Sequence, residues 1–292
     1  MKKDLFELLK FVLIFILMIF SVFIVKTVFE LFGIIYTPNN YFLYSIYDFI
    51  GSLLIIISLI IVHRKTLKED FKKLFKEKNK LIKFIVFIFV GYFFVINIEV
   101  VCGIIQSILF HIFNLEVATS DNQQKLESII HAAPYFMVIS TCLFAPLEEE
   151  LLFRGSIRRT IKNKGVFIAV SGLFFGLLHI TDNYILLVLL LLESFALSEI
   201  IESKAKTANK VVLSVISVAI FVSIFIGTII VVHGNLYNYF YSIDPKEIIN
   251  GITYVTLGCY FASIYAFTNN IYYTIGIHIV TNTIATILLL TL

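Results

Sequence analysis

The chain has 292 residues, 59% hydrophobic and 15% charged, with 30 Phe, no Trp and a formal net charge of +3. That balance is too apolar for a soluble domain, whose surface must be largely polar, so lipid is part of the solvent. The small positive charge calls for neither a nucleic-acid nor an acidic partner, because the topology below accounts for the basic residues.

Crossing the hydrocarbon takes about 20 predominantly apolar residues, and an unpaired backbone amide there costs several kcal/mol, so the crossing segments are helices or closed-barrel strands. Barrel strands alternate apolar and polar residues, whereas Leu186–Leu192 is apolar at every position, so the segments are helical. In chain order the expected spans are 11–33, 42–62, 84–112, 133–157, 165–181, 184–201, 211–233, 251–267 and 271–292. The expected fold is therefore an all-α, polytopic transmembrane helical bundle of about eight or nine spans.

The first segment resembles a signal peptide, but no small-residue cleavage site follows it, so it is read as a retained span. The span at 84–112 is long enough to be tilted or broken. Leu67, Phe71, Leu74 and Phe75 recur at helical spacing in the Lys-rich segment Arg64–Lys80, which fits a helix lying on the inner leaflet or a solvated linker helix. Cys102, Cys142 and Cys259 fall within apolar spans and read as core side chains, not a disulfide framework. The appreciable outer loops are 113–132 and 234–250, and no repeat marks a separate soluble domain. One membrane domain results, in which 1–133 supplies N-terminal spans and the basic loop and 134–292 the remaining spans.

With the N-terminus inside, the N-terminal stretch and residues 64–83, 154–164 and 201–210 hold 20 of the 23 Lys and Arg residues. Only Lys125 and Lys246 fall in outer loops, the split that the positive-inside rule requires.

Ionisable groups at membrane depth are expensive, so each is a candidate for function. The densest cluster is Glu148-Glu149-Glu150, ending an apolar run that began near Pro134. Consecutive helical residues point about 100° apart, so the three acids cannot share a face, whereas Glu150 and Arg154, four apart, can pair. That leaves Glu149 to face something else. The bland reading is a solvated charge cluster at a helix end, since Arg158, Arg159, Lys162 and Lys164 follow. Pro146 removes a backbone donor just before the acids, which predicts a kink there. Two further apolar helices carry Phe175 and His179, and His278 and Asn282, each pair at four-residue spacing. A lone histidine is more often a hydrogen-bonded core residue than a catalyst, but two of them beside an intramembrane acid form a constellation.

In this order, Glu149-Glu150-Leu-Leu-Phe-Arg154, Phe175-Gly-Leu-Leu-His179 and His278-Ile-Val-Thr-Asn282 resemble the three motifs of the CAAX-protease and bacteriocin-processing (CPBP, or Abi) family of intramembrane endopeptidases. The resemblance covers 134–181 and about 251–286, and it implies that 134–292 is the catalytic membrane domain, with extra spans inserted near 183–250. It implies Glu149 as the general base activating water, helped by His179, with His278 and Asn282 stabilising the oxyanion and Glu150 and Arg154 supporting the first acid. It implies no cofactor. Zinc is the rival reading, since two histidines and a glutamate can hold it with a fourth position open, but the chain lacks a His-Glu-x-x-His element.

The three groups must also lie at one depth. Glu149 and His278 sit roughly 10–14 Å from the inner ends of their spans and His179 about 21 Å, so tilt or a later helix start must bring it level. Glu193 and Glu99 are also at membrane depth, which keeps a proton-coupled transporter open as an alternative; so do a non-proteolytic regulatory or binding protein of the same fold, and acyl transfer. The expected partners are the bilayer and a peptide or membrane-protein substrate. The absence of Trp beside abundant Ile, Lys, Phe and Asn points to an AT-rich bacterial genome, hence a bacterial plasma membrane. Prenylated substrates would be unexpected there, which favours peptide maturation or bacteriocin self-immunity.

Overall fold

The computed structural model describes residues 2–35, 37, 40–75, 80–180, 184–235 and 244–291. The expected outer loop 234–250 and the basic segment Arg64–Lys80 therefore lie partly outside the described residues. Those residues are helical almost throughout and contain no strand.

The chain runs through α1 (Lys2–Leu31), α2 (Tyr41–Phe75), α3 (Lys80–Ile112) and α4 (Asp121–Ala132). A continuous helical stretch over 134–160 follows, in which α5 (Pro134–Ile139), α6 (Ala145–Glu149) and α7 (Ile157–Thr160) alternate with π-helical turns at Ser140–Phe144 and Glu150–Ser156. Then come α8 (Lys164–Ile180), α9 (Tyr184–Glu202), α10 (Thr207–His233), α11 (Pro245–Thr268) and α12 (Ile271–Thr291).

Among the described residues six helices, α1, α2, α3, α10, α11 and α12, are long and apolar enough to cross a membrane, fewer than the eight or nine spans expected. The shortfall has local causes. The 134–160 stretch is divided by its π turns, α8 has only 17 residues, and α9 carries Glu193, Glu199 and Glu202.

Between helices in lipid, close packing replaces the hydrophobic effect as the main force. Here α8 and α11 meet backbone to backbone: a Cβ on Gly258 would lie 2.9 Å from the Gly172 Cα, and one on Gly176 would lie 2.9 Å from the Val255 amide nitrogen. Around this contact Phe11 and Phe15 of α1, Ile55 and Leu59 of α2, Leu152 and Phe153, Phe174 and Phe175 of α8 and Ala262 of α11 form the main apolar core. A second cluster joins Val95 of α3 to Leu257, Phe261 and Ile277. The outer faces of α3 and α10 are apolar and exposed, as lipid-facing helices require.

Two expectations about helix shape are narrowed: of a tilted or a broken third span the broken form is excluded, and the basic segment is no helix of its own. The third span is a single unbroken helix of 33 residues. The segment 64–75 is not a separate surface helix; it continues α2, whose 35 residues extend about 52 Å and so overrun the hydrocarbon by several turns. The inserted helices α9 and α10 pack on each other and reach the bundle through α8.

Candidate active site

Pro146 shapes the helix that carries the acids. It has no N–H, and the π turn before it closes from the Ala145 amide to the Ser140 carbonyl, a register change in the hydrogen-bond ladder at the residue where the sequence predicts a kink. The Thr141 carbonyl, which would otherwise accept from those positions, instead takes a hydrogen bond from Asn282 Nδ2 at 3.0 Å. One of the two N–H groups of Asn282 is thereby committed.

Beyond Pro146 the three acids diverge as their 100° spacing requires. Glu148 is buried and turns to α2, where Asp48 and Ser52 stand beside it. Glu150 and Arg154 are wholly buried and form an ion pair, Nη1 to Oε1 at 3.2 Å. The cluster is thus not a solvated helix end. Arg154 Nη2 also donates to the Gly258 carbonyl at 3.0 Å, and its guanidinium lies over Phe175 and Phe261, 4.8 and 5.4 Å from their centroids. Arg154 therefore belongs to the interior and not to the basic loop in which it was counted.

Glu149 faces the histidines. Its Oε1 is 3.9 Å from His179 Nε2 and its Oε2 is 3.7 Å from His278 Nε2. That Oε2 has no hydrogen-bond partner among the described residues. The carboxylate is 18% exposed against none for Glu150, which makes Glu149 the accessible acid and Glu150 the enclosed one.

The orientation of each ring follows from its other nitrogen. His179 Nδ1 donates to the Phe175 carbonyl at 2.6 Å, an acceptor one turn back on its own helix. His278 Nδ1 donates to Glu150 Oε1 at 3.0 Å. Since a carbonyl and a carboxylate only accept, both rings hold a proton on Nδ1 and present Nε2 to Glu149. Stacking fixes the planes, His179 on Tyr254 at 4.6 Å and 17°, and His278 on Phe261 at 4.8 Å and 18°. Tyr254 is held in turn by a hydrogen bond with Ser120, the N-cap of α4, at 2.9 Å.

Glu149, His179 and His278 thus come together although they lie on three helices, with Glu150 and Arg154 directly behind. Asn282 is one turn beyond His278, at the Thr141 carbonyl. Because α8 starts at Lys164, a later helix start does not account for the level of His179. Glu193 lies elsewhere, accepting from Ser217 of α10 at 2.9 Å, and Glu99 is on the exposed face of α3. The three cysteines are free. Among the described residues, no group of three or more His, Cys, Asp or Glu is arranged to hold a metal ion.

Sequence reasoning missed Tyr254, Phe261, Thr141 and the Gly172–Gly176 pair. Only the last had a readable signal, the Gly-x-x-x-Gly spacing of close-packed membrane helices.

Fold and site define a multi-pass helical membrane protein with a carboxylate–imidazole cluster inside its bundle. The type II CAAX prenyl endopeptidase Rce1-like family matches residues 131–284, all three motifs included, and the chain belongs to that family. An uncharacterized protein of Mycoplasma capricolum is 32% identical over 164 residues, covering 53% of this chain and 47% of that protein. The Bacillus subtilis protein named "Putative membrane peptidase YdiL" is 26% identical over 149 residues, 50% of this chain and 57% of its own length. The chain spans about half the length of these curated relatives. No solved structure matches it.

Proposed function

We propose that the chain is an intramembrane endopeptidase in which Glu149 activates water for attack on a peptide carbonyl, without a catalytic metal. The observation that carries the reading is the Glu149 carboxylate standing 3.9 and 3.7 Å from two histidine Nε2 atoms, while the neighbouring acid is neutralised by Arg154. Glu149 takes a proton from water, hydroxide adds to the carbonyl carbon, and the tetrahedral oxyanion collapses as the leaving amine receives that proton. His179 Nε2 can accept and return the proton, because its Nδ1 is held in the donor role by the Phe175 carbonyl. To donate to the oxyanion, His278 must carry a second proton on Nε2, placing an imidazolium between Glu149 and Glu150. Asn282 contributes its remaining N–H. The substrate is a peptide or membrane protein, and peptide maturation or bacteriocin self-immunity is the biological setting.

The test is hydrolysis of candidate peptides by the purified protein, comparing wild type with Glu149→Ala and Glu193→Gln. Wild type and Glu193→Gln should cleave, with and without chelator, and Glu149→Ala should not. Zinc-restorable loss of activity on chelation would sink the metal-free mechanism, and a Glu193→Gln defect with an intact Glu149→Ala would favour transport.

We also propose, from the composition and the split of basic residues between loops, that the chain lies in a bacterial plasma membrane with its N-terminus in the cytoplasm. In a background lacking the three native cysteines, a cysteine replacing Asn122 should react with an impermeant maleimide in intact cells, and one replacing Lys72 should not. The opposite pattern would invert the topology.

A further inference from the structure

We infer that Asp70, on the basic extension of α2, is a positioning residue that sets the register of α12 and so the seating of His278 against Glu149 and Glu150. The kinetic part of this inference rests on the peptidase reading above. Asp70 lies among exposed lysines, yet its side chain is only 3% exposed, because it points into the two-residue connection between α11 and α12. There Oδ2 accepts the Ile271 amide at 3.1 Å, and the Asp70 carbonyl accepts Asn270 Nδ2 at 2.9 Å. Lys73 bridges the same turn, donating to Asp70 Oδ1 at 2.6 Å and to the Asn269 carbonyl at 3.2 Å. Phe71 adds an edge contact to Tyr272, with centroids 5.9 Å apart.

One turn of α2 thus clasps residues 269–272. The Ile271 amide is one of the orphan donors of a helix N-terminus, and a carboxylate there also complements the helix dipole. Asn270 supplies the internal cap, its Oδ1 accepting the Tyr272 amide at 3.0 Å, while Asn269 turns the chain in a left-handed conformation at φ 47°. From Ile271 to His278 is seven residues, about 10 Å of stiff helix, so a shift or rotation at the clasp is carried to the imidazole. His278 tolerates little of it, because it must hold Nδ1 on Glu150 at 3.0 Å and Nε2 toward Glu149 at 3.7 Å together. A misplacement of about 1 Å in a catalytic group can cost up to about a hundredfold in rate.

The bland reading is a staple that adds stability and nothing else. Asp70→Ala separates the two, with Asp70→Asn as the conservative variant because its Oδ1 can still accept the Ile271 amide. The full chain is purified in each form, and kcat, KM, the unfolding midpoint and the imidazole Nδ1–H resonance of His278 are measured. That resonance is assigned by its change in Glu150→Gln. Asp70→Ala should lower kcat of the folded protein by about tenfold or more with KM within about twofold, and should shift the resonance, while Asp70→Asn recovers most of both. A lowered unfolding midpoint with kcat and the resonance unchanged would overturn the inference. If wild type cleaves no peptide, the peptidase reading fails, and the resonance alone decides whether Asp70 seats His278.

Discussion

Arg154→Ala is expected to destabilise the folded chain by about 3–5 kcal/mol, the cost of breaking a buried ion pair by removing one partner. Arg154 is 0% exposed and supplies the ion pair to Glu150, a hydrogen bond to the Gly258 carbonyl and cation–π contacts with Phe175 and Phe261. Without it, the Glu150 carboxylate stays inside the bundle with no cation paired to it and only neutral donors beside it among the described residues, His278 Nδ1 and the Thr274 hydroxyl. A denaturant titration in detergent reads the loss. Replacing both partners, Glu150→Leu with Arg154→Leu, strands no charge and should recover much of the stability. It should not recover turnover, because His278 then lacks the acceptor that holds its Nδ1 proton. An Arg154→Ala protein as stable as wild type would show that the pair is solvated and carries no structural weight.

How much of this could be read from the chain alone depends on sequence distance. The pairing of Glu150 with Arg154 and the facing of Phe175 and His179 are four-residue helical neighbours, so local geometry suffices for them. The nine expected segments were legible from hydropathy, but whether each crosses the membrane was not. The 17 residues of α8, the three acids of α9 and the π turns within 134–160 are features that single-residue hydropathy does not register. Pro146 shows the limit well: its missing donor is visible in the sequence, while its consequence is a π turn that hands the Thr141 carbonyl to Asn282, 141 residues away. The clasp of Asp70 on Ile271 spans 201 residues and involves an acid indistinguishable in sequence from any other on a Lys-rich helix. Stacking of Tyr254 on His179 is hidden likewise, since an aromatic residue on an apolar helix carries no mark of its partner.

Glu149→Gln should abolish measurable turnover while leaving folding and membrane insertion intact. The substitution keeps size and removes the charge and the proton acceptor. A positioned acid or base contributes about 10²–10⁴-fold, so a residual rate, if any, should lie at least that far below wild type. Stability should hold, because Glu149 is the acid least committed to the fold: its Oε2 has no hydrogen-bond partner among the described residues, and neither histidine depends on it for its Nδ1 contact. The contrast with Arg154→Ala is the diagnostic feature, one variant losing chemistry without stability and the other losing both. His179→Ala should fall between, lowering kcat but sparing the Glu150–Arg154 pair, which it does not touch. Comparable unfolding midpoints for wild type and Glu149→Gln, with peptide cleavage undiminished in the variant, would remove Glu149 from the mechanism and leave the carboxylate–imidazole cluster as packing.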